Sequence, residues 1–174
     1  MINKLELSNL NPQDVKDIFT ICPGCIYWEL PNKFTKRPST HQMRLLKKEW
    51  LTSHGKNNIL GKVAREEGRL KGFIQFGPTK LYPQQFNYKS GPVSPDAMLI
   101  TCLFIAKEYR RRGLARLLLS LAEEVAQQYN YAAIEAFARK GSTDNPSGPI
   151  ELFLAYGFEI LKNDEEFPLV RKVL

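Results

Sequence analysis

The sequence predicts an α/β (α+β) fold in a single domain of residues 1–174. At 174 residues the chain is long enough for one sizeable core and short for two domains. A hydrophobic fraction of 43% and a charged fraction of 25% are typical of globular proteins and exclude a disordered chain. The spacing of apolar residues predicts the order strand, two helices, hairpin, strand, helix, strand, helix and two strands.

The first third of the chain contains one predicted strand and two predicted helices. The strand runs from Ile2 to Leu7, and Asn11-Pro12 then marks the start of a helix. Residues 22–39 contain three prolines and no clear period, which indicates an ordered loop. The segment Thr40 to His54 carries an apolar stripe with Lys47 and Lys48 on the outward face, which predicts the second helix.

A hairpin follows, and then a long connection. Two strand-like segments, Ile59 to Arg65 and Leu70 to Phe76, flank a short turn that contains Gly68, as expected of antiparallel neighbours. Residues 77–96 include four prolines and form a longer loop than most connections in a compact domain. Such a loop is as often functional as it is a cover for one edge of a sheet.

The second half of the chain shows the clearest periodicity. Ala97 to Ile105 is almost continuously apolar, as expected of a central strand buried on both faces. The next segment carries leucines at helical spacing from Leu114 onward. The remaining predicted elements are a strand at Tyr131 to Ala138, a helix at Ile150 to Tyr156, and a closing strand pair at Phe158 to Leu161 and Leu169 to Leu174.

The charge of the chain favours an anionic partner. The formal net charge is +7, which suits a nucleotide cofactor, a nucleic acid or an acidic surface. The excess is concentrated in two stretches, Lys33 to Lys48 and Lys107 to Arg116. No apolar run reaches the ~18 residues that a membrane-spanning helix needs, and Met1 does not open a signal peptide. We therefore expect a cytoplasmic protein without a membrane partner.

A short basic motif joins the central strand to the leucine-rich helix. It reads Arg110-Arg111-Arg112-Gly113-Leu114-Ala115, and the small residues let the backbone approach a ligand closely. A helix N-terminus presents unpaired N–H groups and the positive end of the helix dipole, which suit a diphosphate. Arginines add bidentate contacts to phosphate oxygens. The alternative is a solvated basic turn.

The spacing Arg-x-x-Gly-x-Ala after Ile105-Ala-Lys-Glu-Tyr109 resembles the acetyl-CoA signature of the GCN5-related N-acetyltransferases, the GNAT family. The order of the elements and Tyr156-Gly157-Phe158 are also similar to that family. The resemblance implies a mixed, mostly antiparallel central sheet with helices on both faces. It also implies an enzyme that uses acetyl-CoA, without a metal, and transfers an acetyl or short acyl group to an amine by direct attack in a ternary complex.

The resemblance also implies which residues bind coenzyme A. Strand backbone at Leu103, Phe104 and Ile105 would bind the pantetheine arm. The diphosphate would lie over the loop and helix start, at Arg110, Arg111, Arg112, Gly113, Leu114, Ala115 and Arg116. Asn145 is the nearest candidate for a polar residue that contacts the cofactor arm, and Phe153 lies where many members have a tyrosine.

The residues that would move protons are less defined. Because Phe153 replaces the tyrosine thought to protonate the leaving thiolate, Tyr156 is the nearest hydroxyl, unless it is a core aromatic residue. Glu135 is one candidate general base, since a carboxylate inside an apolar strand is costly unless it is paired or faces a cleft. The alternative is that Glu135 pairs with an arginine such as Arg139 or Arg112.

Glu29 is the second candidate base. It follows Tyr27 and Trp28 in a region that lines the acceptor side in the GNAT family. An aromatic wall with one carboxylate suits a cationic or amine acceptor. In the alternative interpretation Trp28 plugs the edge of the core and Glu29 caps a neighbouring group.

The chain has three cysteines, of which Cys22 and Cys25 are separated by two residues. A structural zinc needs four ligands, and Cys102, His41 and His54 stand at no familiar spacing from the pair. A thioredoxin-like role requires the pair at a strand-to-helix junction. We therefore expect buried loop thiols and no metal site.

Three functions are open at this point. The first is an acetyl-CoA-dependent N-acetyltransferase acting on a small-molecule or peptide amine, with a homodimer possible through the closing strands. The second is a catalytically silent acyl-CoA-binding or sensing module, which Phe153 motivates. The third is nucleic-acid binding by Lys33 to Lys48, which lacks a recognition motif and is better explained as a solvated helix face.

Overall fold

A seven-stranded sheet in the order β1-β2-β3-β4-β5-β7-β6 forms the centre of the protein. The computed structural model describes residues 5–22, 25–143 and 145–174. The strands are β1 (Glu6–Asn9), β2 (Gly61–Glu66), β3 (Arg69–Pro78), β4 (Ala97–Ile105), β5 (Ala133–Phe137), β6 (Glu159–Lys162) and β7 (Leu169–Val173). Neighbouring strands are antiparallel except β4 and β5, which are parallel. The predicted mixed, mostly antiparallel sheet is confirmed.

In the residues that the structure describes, five α-helices connect the strands. They are α1 (Val15–Ile21), α2 (Pro31–Phe34), α3 (Thr40–His54), α4 (Leu114–Gln128) and α5 (Ile150–Tyr156). Reciprocal capping boxes involving Asn11 and Ser39 stabilise the turn before α1 and the start of α3, because each satisfies N–H groups that a helix start leaves unpaired. Helix α5 ends at Gly157, whose φ of 109° suits glycine.

The helices cover both faces of the sheet. One face packs against α4 and α5, with Leu118, Leu119 and Phe153 fully buried among the residues of β3, β4 and β5. The other face packs against α1, α3 and the loop after β3, around Phe19, Trp50 and Tyr82. The predicted placement of helices on both faces is therefore confirmed. No helix of the described residues is long and apolar enough to cross a membrane.

The parallel pair β4–β5 is paired over only part of its length. Residues Ala97–Ile100 face Ala133–Ala136, and the rest of β4 continues against β3 without β5. The β3–β4 register shifts between Gln75 and Phe76. A bulge bends and twists the strand that carries it. The second half of β4 thus borders an opening in the sheet.

Three predicted elements match the structure to the residue: α3, β4 and α5. The first strand is shifted to Glu6–Asn9, and residues 2–4 of the predicted strand lie outside the described residues. The predicted loop 22–39 contains the short helix α2, because Pro31 favours a first helical turn. Strand β5 is shorter than predicted, and the flanking Tyr131 and Ala138 lie outside the strand but still pack with the core.

Lys47 corrects the predicted orientation of α3. It was expected on the outward face beside Lys48, and instead it is one of the largest fully buried side chains. Periodicity alone favours a polar outward face for lysine, because a buried ammonium is costly unless it is paired. The partners of Lys47 come from loops and strands distant in sequence, so the pattern within α3 could not reveal them.

The packing of α4 can be tested with neighbouring leucines. Leu118 is fully buried and Leu117 is 36% exposed. We expect Leu118→Ala to lower the free energy of unfolding by about 2–5 kcal/mol, because it leaves a cavity under the sheet. Leu117→Ala, the matched control, should cost about 1 kcal/mol or less. Chemical denaturation measures both, and equal losses would contradict the orientation of α4.

Candidate active site

The loop between β4 and α4 leaves the start of a long helix open. Gly113 occupies the N-cap position with a φ of 85°, and no side chain caps this helix. A Cβ atom placed on Gly113 would meet nothing within 4 Å. The backbone of Arg111 also adopts a left-handed conformation, with a φ of 59°. The first N–H groups of α4 therefore face open space, where an anion is stabilised by the helix dipole.

The four arginines of this loop and helix have different surroundings. Arg110 Nε donates to the carbonyl of Ile105 at 3.3 Å, and the Arg112 guanidinium lies 5.7 Å from the Tyr109 ring centroid. Arg116 donates to the carbonyl of Ala155 at 2.8 Å and is held against α5. Arg111 has no hydrogen bond or salt bridge with the described residues. All four arginines are exposed, and Arg111 and Arg112 are the two whose guanidinium groups make no hydrogen bond or salt bridge with the described residues.

Tyr109 anchors this loop to the hairpin. Its hydroxyl donates a short hydrogen bond to Glu66, which raises the pKa of Tyr109 to about 12. The Lys71 ammonium lies 5.0 Å from the Tyr109 ring centroid and pairs with Glu108 at 3.2 Å. No local signal in the sequence marks Tyr109 as an anchor, because its partners lie in a distant hairpin.

The predicted pantetheine strand already has a partner. The N–H of Leu103 donates to the carbonyl of Pro146 at 2.8 Å. Asn145 shapes this turn, since its side-chain oxygen accepts from the N–H of Ser147 at 2.9 Å. Leu103 is buried, whereas Phe104 and Ile105 are half-buried. A ligand that binds β4 as a strand would have to replace the Leu103–Pro146 bond.

Phe153 and Tyr156 lie on α5 away from this loop. Phe153 is fully buried and packs edge-on against Phe158, with 5.1 Å between ring centroids. The Tyr156 hydroxyl donates to Glu123 at 3.0 Å. Glu123 lies nine residues after the start of α4, or about 13 Å along the helix axis. The Tyr156 ring also lies 5.9 Å from the guanidinium of Arg116 in the first turn of α4. Because its hydroxyl is bonded to Glu123 and its ring packs along α4, the geometry favours a packing role.

Glu135 is fully buried and both of its oxygens are hydrogen-bonded. Arg171 donates to Oε1 at 2.6 Å, and the N–H of Ser94 donates to Oε2 at 2.9 Å. The arginine partner is thus Arg171, not Arg139 or Arg112 as the sequence suggested, because β7 pairs with β5 and places Arg171 opposite Glu135. These contacts favour a role in fixing the sheet.

Glu29 lies in a buried network with one unpaired oxygen. Its Oε1 accepts from Lys47 Nζ in a short salt bridge and from Gln75 Nε2 at 2.6 Å. Lys47 also donates to the side-chain oxygen of Gln75 at 2.6 Å. Glu29 Oε2 is buried and has no hydrogen-bond partner among the described residues. Burial raises the pKa of Glu29, and the Lys47 ammonium offsets part of that rise.

An aromatic cluster lies beside this network. Trp28 is stacked on Tyr88 with 5.3 Å between ring centroids, and Tyr88 is stacked on Phe137 at 4.2 Å. Tyr27 packs edge-on against Trp28, and its hydroxyl donates to the Tyr88 hydroxyl at 3.3 Å. The sequence identified Tyr27 and Trp28 only. The other rings come from distant segments, so no local signal connects them.

Phe137 places the aromatic cluster beside the opening in the sheet. It follows Ala136, the last residue of β5 that pairs with β4, so the aromatic rings border the opening on the face covered by α1 and α3. Within the described ranges, no group of three or more His, Cys, Asp or Glu side chains is arranged to hold a metal ion.

Comparison with known proteins decides the family. Residues 25–158 match the sequence profile described as "Acetyltransferase (GNAT) family". The chain belongs to the GNAT family. The matched segment contains the open start of α4, the second half of β4 and the buried Glu29. Acyl transfer from an acyl-CoA donor is accordingly the general activity of this GNAT chain.

Solved structures share the fold of this GNAT protein. A PaiA N-acetyltransferase from Thermoplasma acidophilum in complex with coenzyme A has a TM-score of 0.67 at 13% identity, covering 98% of this chain and 99% of that one. A ribosomal-protein-alanine N-acetyltransferase from Brucella melitensis has a TM-score of 0.64 at 16% identity, covering 97% of this chain and 99% of that one. An N-acetyltransferase from Staphylococcus aureus Mu50 has a TM-score of 0.63 at 18% identity, covering 99% of this chain and 98% of that one. No curated protein matches the sequence.

The buried ion pair can be tested through stability. We expect Lys47→Met to lower the free energy of unfolding by about 3–5 kcal/mol, because it leaves the Glu29 carboxylate buried without its cation. The double variant Glu29→Gln/Lys47→Met should recover more than half of that loss. A double variant as unstable as Lys47→Met would contradict the pairing of Lys47 with Glu29.

The same variants predict a dependence on pH. Without Lys47, burial holds the pKa of Glu29 above its usual value of 4.5, so the folded state keeps a proton that the unfolded state has lost. The free energy of unfolding of Lys47→Met should therefore fall as pH rises above about 5. The double variant lacks this carboxyl group, and denaturation at several pH values should show a smaller slope for it.

Proposed function

We propose that this chain is an N-acetyltransferase that passes an acetyl or short acyl group from acyl-CoA to an amine by direct attack in a ternary complex. The observation that carries the proposal is the uncapped start of α4 at Gly113, flanked by Arg111 and Arg112. An open helix N-terminus with exposed guanidinium groups suits a diphosphate. The coenzyme A found in the Thermoplasma acidophilum neighbour supports the same ligand here.

The donor would be held by backbone as much as by side chains. N–H groups from Gly113 to Arg116 and the side chains of Arg111 and Arg112 would bind the diphosphate. The pantetheine arm would run along Leu103 to Ile105 in place of the Pro146 carbonyl. Leu114 and Ala115 would contribute N–H groups, since Leu114 packs its side chain in the core. Asn145 would act indirectly, through the turn that carries Pro146.

The acceptor would approach from the face that carries Trp28 and Glu29. Tyr27, Trp28 and Tyr88 offer ring faces and edges to an amine or its carbon frame. Of the two predicted bases, Glu29 is the better proton acceptor, because its Oε2 accepts no hydrogen bond from the part of the chain that the structure describes, whereas both oxygens of Glu135 are hydrogen-bonded. A bridging water would connect the buried Oε2 to the amine.

The thiolate can leave without a dedicated acid. A thiol has a pKa of about 8.5, so coenzyme A is a tolerable leaving group near neutral pH. This matters because Phe153 has no hydroxyl and the Tyr156 hydroxyl is bonded to Glu123. The same two observations favour the second candidate, a silent acyl-CoA-binding module. Release of free thiol from acetyl-CoA with a panel of amines separates the two, since only the enzyme releases it in an amine-dependent way.

The diphosphate site can be tested by removing its guanidinium groups. We expect Arg111→Ala and Arg112→Ala each to raise the KM or Kd for acetyl-CoA by roughly tenfold, as loss of one charge-assisted contact predicts. Arg69→Ala, at an exposed arginine of the β2–β3 turn, is the matched control and should leave both unchanged. Equal effects of all three substitutions would contradict a localised diphosphate site.

The choice of base can be tested with two isosteric variants. We expect Glu29→Gln to lower kcat by about 100-fold, within the usual range for loss of a general base, while the Kd for acetyl-CoA stays unchanged. Glu135→Gln should reduce thermal stability and keep most of kcat in the fraction that folds. If Glu135→Gln folds but is inactive while Glu29→Gln keeps full activity, then Glu135 is the base and Glu29 is not, which would contradict the proposal.

A further inference from the structure

On the basis of the proposed function, in which Glu29 is the base, we infer that Gln75 is a positioning residue. It holds Oε1 of Glu29 and so leaves Oε2 to accept a proton from the acceptor amine. Gln75 lies in the buried stretch 72–77 of β3, whose other residues are glycine, phenylalanine and isoleucine. A buried amide is costly unless it is hydrogen-bonded, so the contacts of Gln75 account for its place in the strand.

Three hydrogen bonds connect Gln75, Glu29 and Lys47 in a closed ring. Gln75 Nε2 donates to Glu29 Oε1 at 2.6 Å, and Lys47 Nζ donates to Gln75 Oε1 at 2.6 Å. Lys47 also donates to Glu29 Oε1 in the short salt bridge. Both donors therefore meet the same carboxylate oxygen. The other oxygen, Oε2, is buried and accepts no hydrogen bond from the described residues.

The two charges fix the orientation of the Gln75 amide. A rotated amide would direct its carbonyl oxygen at the Glu29 carboxylate and its NH2 group at the Lys47 ammonium, and both contacts would be repulsive. Lys47 alone could bind either oxygen of Glu29, because the terminal torsion of glutamate is broad and roughly two-fold. A second donor on Oε1 favours that oxygen as the anchor. Gln75 therefore determines which oxygen is left for the amine.

The backbone of Gln75 connects this anchor to the proposed donor strand. Gln75 pairs with Cys102 of β4, and its carbonyl accepts from the Thr101 hydroxyl at 3.2 Å. Cys102 precedes Leu103, whose N–H group is proposed to bind the pantetheine arm. A shift of Gln75 against β4 would therefore move Glu29 relative to the acyl group, and a displacement of about 1 Å can cost roughly 100-fold in rate.

The charges around Glu29 determine how Gln75 affects its protonation. Burial raises the pKa of Glu29, whereas the Lys47 ammonium and the N–H group of Gln75 lower it. The other titratable side chains in electrostatic contact with Glu29 are Cys22, Cys25, Cys102 and Tyr82. Loss of the Gln75 N–H group should therefore raise the pKa of Glu29 further while these neighbours stay in place.

Carboxyl NMR tests the contact without any acceptor. In protein labelled with ¹³C at the glutamate carboxyl carbons, the signal of Glu29 is the one missing from Glu29→Gln. We expect Gln75→Met, which has a similar length and no N–H group, to raise the midpoint of this titration by about one pH unit, as loss of one hydrogen bond to a charged group predicts. Gln84→Met is the matched control, because Gln84 is buried and bonded to Asn87. An unchanged midpoint in folded Gln75→Met would overturn the inference.

The pH dependence of acyl transfer tests the positioning role. We expect Gln75→Met to lower kcat by roughly tenfold and to move the acid limb of the kcat profile to higher pH, while the Kd for acetyl-CoA stays unchanged. A merely structural residue would lower stability and leave the acid limb in place, as we expect of Gln84→Met. A raised NMR midpoint beside a wild-type acid limb would overturn the positioning role.

A second variant covers the case in which Gln75→Met folds poorly. Gln75→Glu keeps the shape of the side chain and places a second carboxyl group beside Glu29. Two carboxylates so close do not ionise together, so one of them should titrate at a higher pH than Glu29 does in the wild type. If both titrate at or below the wild-type midpoint, the inference is overturned.

Failure of the proposed function is distinguishable from failure of the role of Gln75. A wild-type protein that releases no thiol with any amine overturns the proposed function and, with it, the role of Gln75 in catalysis. An active wild-type protein beside variants with unshifted titrations and profiles overturns the role of Gln75 alone.

Discussion

The contacts of the buried Lys47 ammonium hold together the face of the sheet that packs against α1 and α3. It joins α3 to Glu29 in the loop after α1 and to Gln75 on β3. A charge removed from water is tolerated only with close partners, so the three side chains fix one another. The loop that carries Trp28 is thereby held against the sheet, beside the point where the β3–β4 register shifts.

The two sides of the proposed site are built by different means. On the proposed donor side the backbone sets the geometry: a left-handed Gly113 opens the start of α4, and Tyr109 holds the loop against Glu66. On the proposed acceptor side, side chains from five segments meet, and they bring together a buried ion pair and several aromatic rings. Function belongs to such a site and not to the fold, so we expect the acceptor to be chosen by these side chains.

The sequence predicted the fold well because its signals are local. The stripe of α3, the apolar run of β4 and the glycine after α5 each lie within one element, and those elements were assigned correctly. The acceptor side could not be predicted in the same way. From the sequence alone, Lys47 is expected on the surface, because its partners Glu29 and Gln75 lie far away in the chain. Glu135 is likewise a candidate base until its pairing with Arg171 is known. Contacts that only the topology of the sheet creates produce no periodic pattern in the sequence.

A structure of the chain with acetyl-CoA bound would show directly whether the start of α4 holds the donor. We expect the diphosphate over Gly113 with Arg111 and Arg112 beside it, and the pantetheine arm bonded to the N–H of Leu103 after Pro146 has moved away. The sulfur should then lie within reach of Glu29 through one or two waters. A diphosphate bound elsewhere, or a sulfur more than about 10 Å from Glu29, would contradict this expectation.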